Sequence, residues 1–152
     1  MHVVGSRGDV QPFVALALKL KEFGHRIRPA THPVFRGFVE GYGIEFFSIS
    51  GDPAELMAYM VKNPGVIPKM ESMRGDVIEK QTKAVSKILD GCWRSCFRLC
   101  DCSDNRKTIP CGARSCVTKV SFIADVIIAN PPSFAHIHCA EKLGIPLHIM
   151  FT

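Results

Sequence analysis

The residues best suited to chemistry stand at the start of the chain, in Gly5-Ser6-Arg7-Gly8-Asp9-Val10-Gln11-Pro12. This stretch lies between a short apolar run, His2-Val3-Val4, and a helix-patterned run, which predicts the first β-to-α turn of an α/β domain. In open α/β sheets the ligand crevice lies beyond the carboxyl ends of the strands, where such a turn is placed. Gly5 and Gly8 permit positive φ and a close approach of ligand to main chain. Pro12 suits the first turn of a helix, and the N–H groups of that turn favour an anionic group such as a phosphate. Asp9 is the only carboxylate in the turn. Two roles fit it: stabilising the turn as a cap, or taking a proton.

Two further strand ends carry candidates. His32 follows Thr31 at the end of the second expected strand, where it could orient a ligand or share a proton with Asp9, or simply pack on Pro33. Asn130-Pro131-Pro132-Ser133 follows a strongly apolar stretch, Phe122 to Ala129, and Ser133 reads as the cap of a helix over 134–143. His136 is the better of His136 and His138 to line the crevice. Alternate helix positions face different sides, so the two are not joint metal ligands. Six of the seven cysteines fall between Cys92 and Cys116 without a Cys-x-x-Cys pair, so no zinc site and no other metal is expected. A disulfide scaffold is equally unexpected where no secretory signal is seen.

These residues need elements to hold them. The first helix is expected over about 12–23, with Phe13, Leu16, Ala17 and Leu20 inward and Gly24 as its stop. Strands are expected over 26–31, where Pro29 would prefer an edge, and over 44–49, with a short helix over 34–42 between them, closed by Gly43. Asp52 before Pro53 reads as the cap of a Met-rich helix reaching Tyr59 and Met60. Val66 and Ile67 in the following loop point to a lipid-facing patch. A long amphipathic helix is expected over 76–92, with Val77, Ala84, Val85, Ile88 and Leu89 inward and Lys80, Lys83 and Lys87 outward. Strands over 122–129 and 146–151 complete an α/β, Rossmann-like parallel sheet with helices on both faces.

Composition narrows the function classes. At 152 residues one domain is expected, and 47% hydrophobic with 22% charged residues fits a globular protein. The net charge is +5, but residues 92 to 120 hold six Lys or Arg against two Asp, which supplies +4. The rest is nearly neutral, so no nucleic-acid face is expected. Neither Gly-x-Gly-x-x-Gly nor a Gly-x-x-x-x-Gly-Lys loop is present, which sets back dehydrogenase and nucleoside-triphosphatase readings. With no apolar run of membrane-spanning length, a cytoplasmic protein, peripheral at membranes at most, is the expectation.

Five ordered stretches carry a family resemblance: the opening turn with Ala15-Leu16-Ala17-Leu18, Ala30-Thr31-His32-Pro33-Val34-Phe35, Glu45 to Ile49 with Gly51 to Met57, Ile127 to His136, and Gly144 to Thr152. The chain resembles the glycosyltransferase family 28 amino-terminal domain, and within it the fungal UDP-glucose sterol 3-beta-glucosyltransferases. The resemblance covers most of residues 1–91 and 122–152. About 97–120 reads as an atypical Cys-rich insertion or retained-intron sequence.

The resemblance implies the incomplete amino-terminal, acceptor-side half of a two-domain GT-B hexosyltransferase whose UDP-sugar domain lies elsewhere. It implies Asp9 as general base, with Gly5, Ser6, Arg7 and Gly8 near the donor pyrophosphate. His32, Pro132, Ser133 and His136 would border the acceptor pocket. No cofactor is implied beyond UDP-glucose as donor substrate; the acceptor would be a sterol 3-hydroxyl. Alone, the chain is expected to be inactive. The alternatives are a non-catalytic sterol or membrane-surface binding module, or an incomplete gene model without independent function.

Overall fold

In the computed structural model, which describes residues 1–50, 58, 75–97 and 122–151, Ser6 rather than Pro12 starts the first helix. Helix α1 spans Arg7–Glu22 and carries Pro12 inside it. A proline there removes the hydrogen bond to the carbonyl four residues back, that of Gly8. Both residues are exposed, so water can serve that carbonyl. The buried stripe is Val10, Phe13, Val14 and Ala17 at i, i+3, i+4 and i+7, one register away from the expected one; Leu16 and Leu20 are only half-buried. Gly24, at φ +84°, lets the chain leave the helix as expected.

Strand β1, Ala30–Thr31, pairs in parallel with β2, Phe47–Ser48, and β3, Ile127–Ala129, pairs in parallel with β4, Leu147–Ile149. These ladders are shorter than the expected strands. His2 joins the two pairs by parallel bridges to both Ala30 and Ala129. Around it, the Val3 N–H donates to Ala30 O and the His2 N–H donates to Ile128 O, both at 2.9 Å. Contrary to the edge preference, Pro29 precedes a strand with neighbours on both sides. Its carbonyl accepts from the Phe47 N–H at 3.0 Å. The β2 ladder therefore begins at the Pro29 carbonyl, and the missing donor falls just outside it.

Adjacent residues go to opposite sides, as strand geometry requires. Val3, Phe46 and the buried α1 stripe form one apolar cluster with Phe35 and Val39. Val4, Phe47, Ile127 and Ala129 form another, with Ile88, Cys92, Cys96, Cys139 and Ala140. Phe35 closes a 3-10 turn, Pro33–Phe35, that runs into helix α2, Arg36–Glu40, and Gly43 at φ +66° ends that segment. Ile88 and Cys92 lie on helix α3, Gly75–Ser95, and Cys139 and Ala140 on helix α4, His136–Leu143. Full burial of a side chain the size of Phe47 or Ile127 contributes about 1.5–3 kcal/mol.

Along α3, Ile88 is buried and Lys83 and Lys87 are exposed, in line with the expected amphipathic helix. Cys92 and Cys96 are core residues at its carboxyl end. The helix expected after Asp52, the 63–68 loop, the side chains of Val77 and Lys80, and residues 98–121 lie outside the described residues. At the amino end of β1, Arg28 is nearly fully buried and bonds Glu45 through Nη2 at 3.0 Å, and Arg26 bonds the same carboxylate. The Arg28 guanidinium also stacks 4.1 Å from the Phe122 ring centre.

Candidate functional site

Gly5 makes room for Asp9. Its φ is +145°, and a Cβ added there would stand 2.4 Å from Asp9 Oδ2. Ser6 caps α1, and Asp9, the third helical residue, reaches back to it. Oδ2 accepts from the Ser6 N–H at 2.6 Å and from the Ser6 hydroxyl at 2.9 Å. The Asp9 side chain on the Ser6 N–H, with the Ser6 side chain taking the Asp9 N–H in return, makes a capping box, encoded locally as Ser-x-x-Asp. The carboxylate is thereby held against Ser6 and Gly5. Arg7, the first helical residue, lays its guanidinium 4.8 Å from the Phe38 ring centre on α2. Ser6, Arg7 and Gly8 are exposed, and Asp9 is partly so.

A second turn stands beside the first. Asn130 is buried, and its carboxamide takes both polar groups of Val4: the Val4 N–H donates to Oδ1 at 3.0 Å, and Nδ2 donates to Val4 O at 2.7 Å. Ladder geometry explains the exchange. Asn130 N–H still donates to His2 O, but the Asn130 carbonyl has turned away to accept from the Ser133 N–H and start the 3-10 turn Pro131–Ser133. The side chain supplies the rung that the backbone gives up. Sequence reasoning placed Asn130 in a motif without a role; no local signal announces a partner 126 residues away.

Ser133 was expected to cap the following helix, and it does not. Helix α4 begins at His136 with Ala135 at the cap position and no side-chain cap. Ser133 Oγ lies 2.7 Å from His136 Nδ1 instead, with both side chains buried. Phe134 between them has φ +52°, an uncommon conformation for a bulky residue, worth about 1–3 kcal/mol of strain. That kink folds the chain so that serine and histidine meet. Burial holds the His136 pKa below its ordinary value, helped by the charges of His2 and His138. His138 is exposed, so the two rings do face differently.

The remaining candidates divide. His32 is fully buried and precedes the 3-10 turn at Pro33, and Pro132 is half-buried in the 131–133 turn. A third polar knot went unforeseen. His2 Nε2 lies 3.1 Å from Ser95 Oγ and 3.6 Å from Cys96 Sγ. A hydrogen bond from Cys139 and contact with His2 pull the Cys96 pKa down to about 5, while Cys139 is pushed up. Among the described residues no three His, Cys, Asp or Glu side chains are grouped to hold a metal ion. A cavity of about 540 Å³ between α3 and α4 is walled by Leu89, Trp93, Ala135 and Cys139, and no sequence-predicted site residue lines it.

Comparison with known proteins places these turns in context. The profile of the glycosyltransferase family 28 N-terminal domain matches residues 1–102. Sterol 3-beta-glucosyltransferase UGT80B1 of Arabidopsis thaliana is 46% identical over 99% of this chain. UGT80A2 of the same plant, with the same activity name, is 42% identical over the whole chain. The sterol 3-beta-glucosyltransferase of Yarrowia lipolytica is 38% identical over 98% of it. The chain spans 21% of the length of each plant relative and 8% of the yeast one.

Proposed function

Because the chain belongs to the glycosyltransferase family 28 N-terminal domain family, we propose that it is the acceptor-side part of an inverting sterol 3-beta-glucosyltransferase using UDP-glucose. The observation that carries this reading is the similarity to enzymes of that name along the entire chain, so that both turns fall within the matched region. In this reading the two strand pairs joined by His2 are the centre of a Rossmann-like sheet with helices on both faces, the amino-terminal half of a GT-B enzyme. The two apolar clusters on opposite sides support it.

The chemistry follows from the turns. The sterol 3-hydroxyl gives its proton to the Asp9 carboxylate as its oxygen bonds to the anomeric carbon of glucose. The bond from that carbon to the UDP oxygen breaks, UDP leaves with the electron pair, and configuration inverts. Positioned proton transfer of this kind contributes about a hundredfold to ten-thousandfold. The capping serine fixes the carboxylate's orientation. Gly5, Ser6, Arg7 and Gly8 lie at the start of α1, where helix polarity favours the developing negative charge of the leaving diphosphate. His32, Pro132, Ser133 and His136 border the sterol.

The test is transfer of labelled glucose from UDP-glucose to a sterol by the complete protein and by its Asp9→Asn variant. Expected is sterol glucoside from the first and a loss of at least about a hundredfold in the second, with sterol binding kept. Sterol binding by the complete protein without any turnover would replace this reading with that of a binding module.

A further inference from the structure

We propose that Ser133 is a positioning residue that locks His136 in its Nε2–H tautomer, so that His136 offers the sterol hydroxyl oxygen a hydrogen-bond donor and does not act as a base. The proposal rests on the acceptor-side reading above. Its starting point is the Ser133 Oγ to His136 Nδ1 contact at 2.7 Å.

One of the two atoms donates. Ser133 is fully buried, and its hydroxyl has no other hydrogen-bond partner among the described residues. If Nδ1–H were the donor, the serine's own hydrogen would be sealed away from both water and acceptor. Leaving a buried donor unmade is costly, so the hydroxyl gives its hydrogen to Nδ1. A neutral imidazole with an occupied Nδ1 lone pair carries its hydrogen on Nε2. Burial favours the neutral ring.

The other ring nitrogen is available. His2 Nδ1 and Thr31 Oγ1 are sealed polar atoms without partners, but His136 Nε2 is not among the sealed atoms, and it makes no hydrogen bond within the described residues. An Nε2–H group cannot take the sterol proton. It can hold one lone pair of the hydroxyl oxygen, leaving the second for attack and the hydrogen for Asp9. Two polar turns then divide the work: one takes the proton, and the other orients the oxygen. The kink at Phe134 maintains the second turn, since without it the serine would not lie beneath the ring.

Glutamine at 136 places an amide N–H close to where Nε2–H stood, whereas alanine places none. In the complete protein, His136→Ala is expected to lower kcat/KM about tenfold, the worth of one hydrogen bond, and His136→Gln to recover most of that loss. A base would behave otherwise: both variants would fall together by about a hundredfold or more, which overturns the proposal. Unchanged transfer in both variants overturns it as well. Nitrogen-15 spectra of histidine-labelled protein read the tautomer directly. Expected are an unprotonated Nδ1 and a protonated Nε2 at His136 in the unaltered protein, and a mixture in Ser133→Ala. A protonated Nδ1 in the unaltered protein refutes the lock even where the serine variant fails to fold. Absence of any sterol glucosylation by the complete protein would strike the acceptor-side reading instead, and the spectra would still decide the tautomer.

Discussion

The turn at Gly5–Asp9 and the turn at Asn130–His136 stand side by side, yet they are built by opposite means. The first is local: Ser6 and Asp9 are three residues apart and bond each other at the helix start. The second is assembled from a distance. Asn130 holds Val4 across 126 residues, and a strained Phe134 brings Ser133 under His136. The first exposes its polar groups, and the second buries them. The exposed side chains of the first turn stand clear of the core, whereas the polar side chains of the second are part of it.

That contrast can be broken at the first turn by Gly5→Ala. The added Cβ meets the Asp9 carboxylate at 2.4 Å, and φ +145° is a conformation that alanine rarely adopts. Strain and overpacking together predict a loss of about 3–5 kcal/mol in urea unfolding, together with loss of glucose transfer in the complete protein. Should Gly5→Ala unfold like the parent, the close approach of Asp9 to residue 5 is not maintained in solution.

Asn130→Ala strikes the join between the turns. Val4 N–H and Val4 C=O would lose their partner inside the core, which predicts destabilisation by about 2–3 kcal/mol. Asn130→Asp keeps an acceptor for the Val4 N–H and loses the donor to Val4 O. A calorimetric comparison of the two variants therefore separates the two hydrogen bonds. Equal stability of parent and Asn130→Ala would show that water serves Val4 equally well.

The smallest effect lies in pH. Burial holds the His2 pKa below its ordinary value of 6.5. Below that value the unfolded chain binds a proton that the folded chain resists, so stability falls as pH drops from 6.5 toward the folded pKa. Above 6.5 His2 adds no slope. Its share is at most about 1.4 kcal/mol per pH unit. Urea midpoints between pH 7.5 and 5 should show the slope, and His2→Gln should reduce it, leaving the part contributed by the buried His136.

How much was legible follows the same division. Short apolar runs bounded by turn residues located the segments of β1 to β4, and periodicity located α3, since each signal is carried within a few neighbours. The start of α1 was misread because Pro12 is a strong signal for a first helical turn, while the Ser-x-x-Asp pattern just ahead of it carried the true boundary. Ser133 was misread for a related reason. Its type suits a cap, but the left-handed Phe134 moves the helix start beyond its reach. Asn130 and the His2 knot with Ser95 and Cys96 depend on which distant strands become neighbours, and no window of sequence contains that information. The mixed α/β character with parallel strand pairing and a capping role for Asp9 were therefore readable, while the buried polar chemistry of the second turn was not.

The bridges made by His2 also set an order of events for a newly made chain. Residues 1–4 must pair on one side with Ala30 and on the other with residues 128–130. The first partner follows soon after in the chain, and the second comes only far along it. Until then one edge of the opening strand, including the Val4 amide, waits with nothing to bind. Pairings of such separation close slowly. The interval before Asn130 arrives is therefore when the opening segment is most open to chaperones or to another chain's unpaired strand.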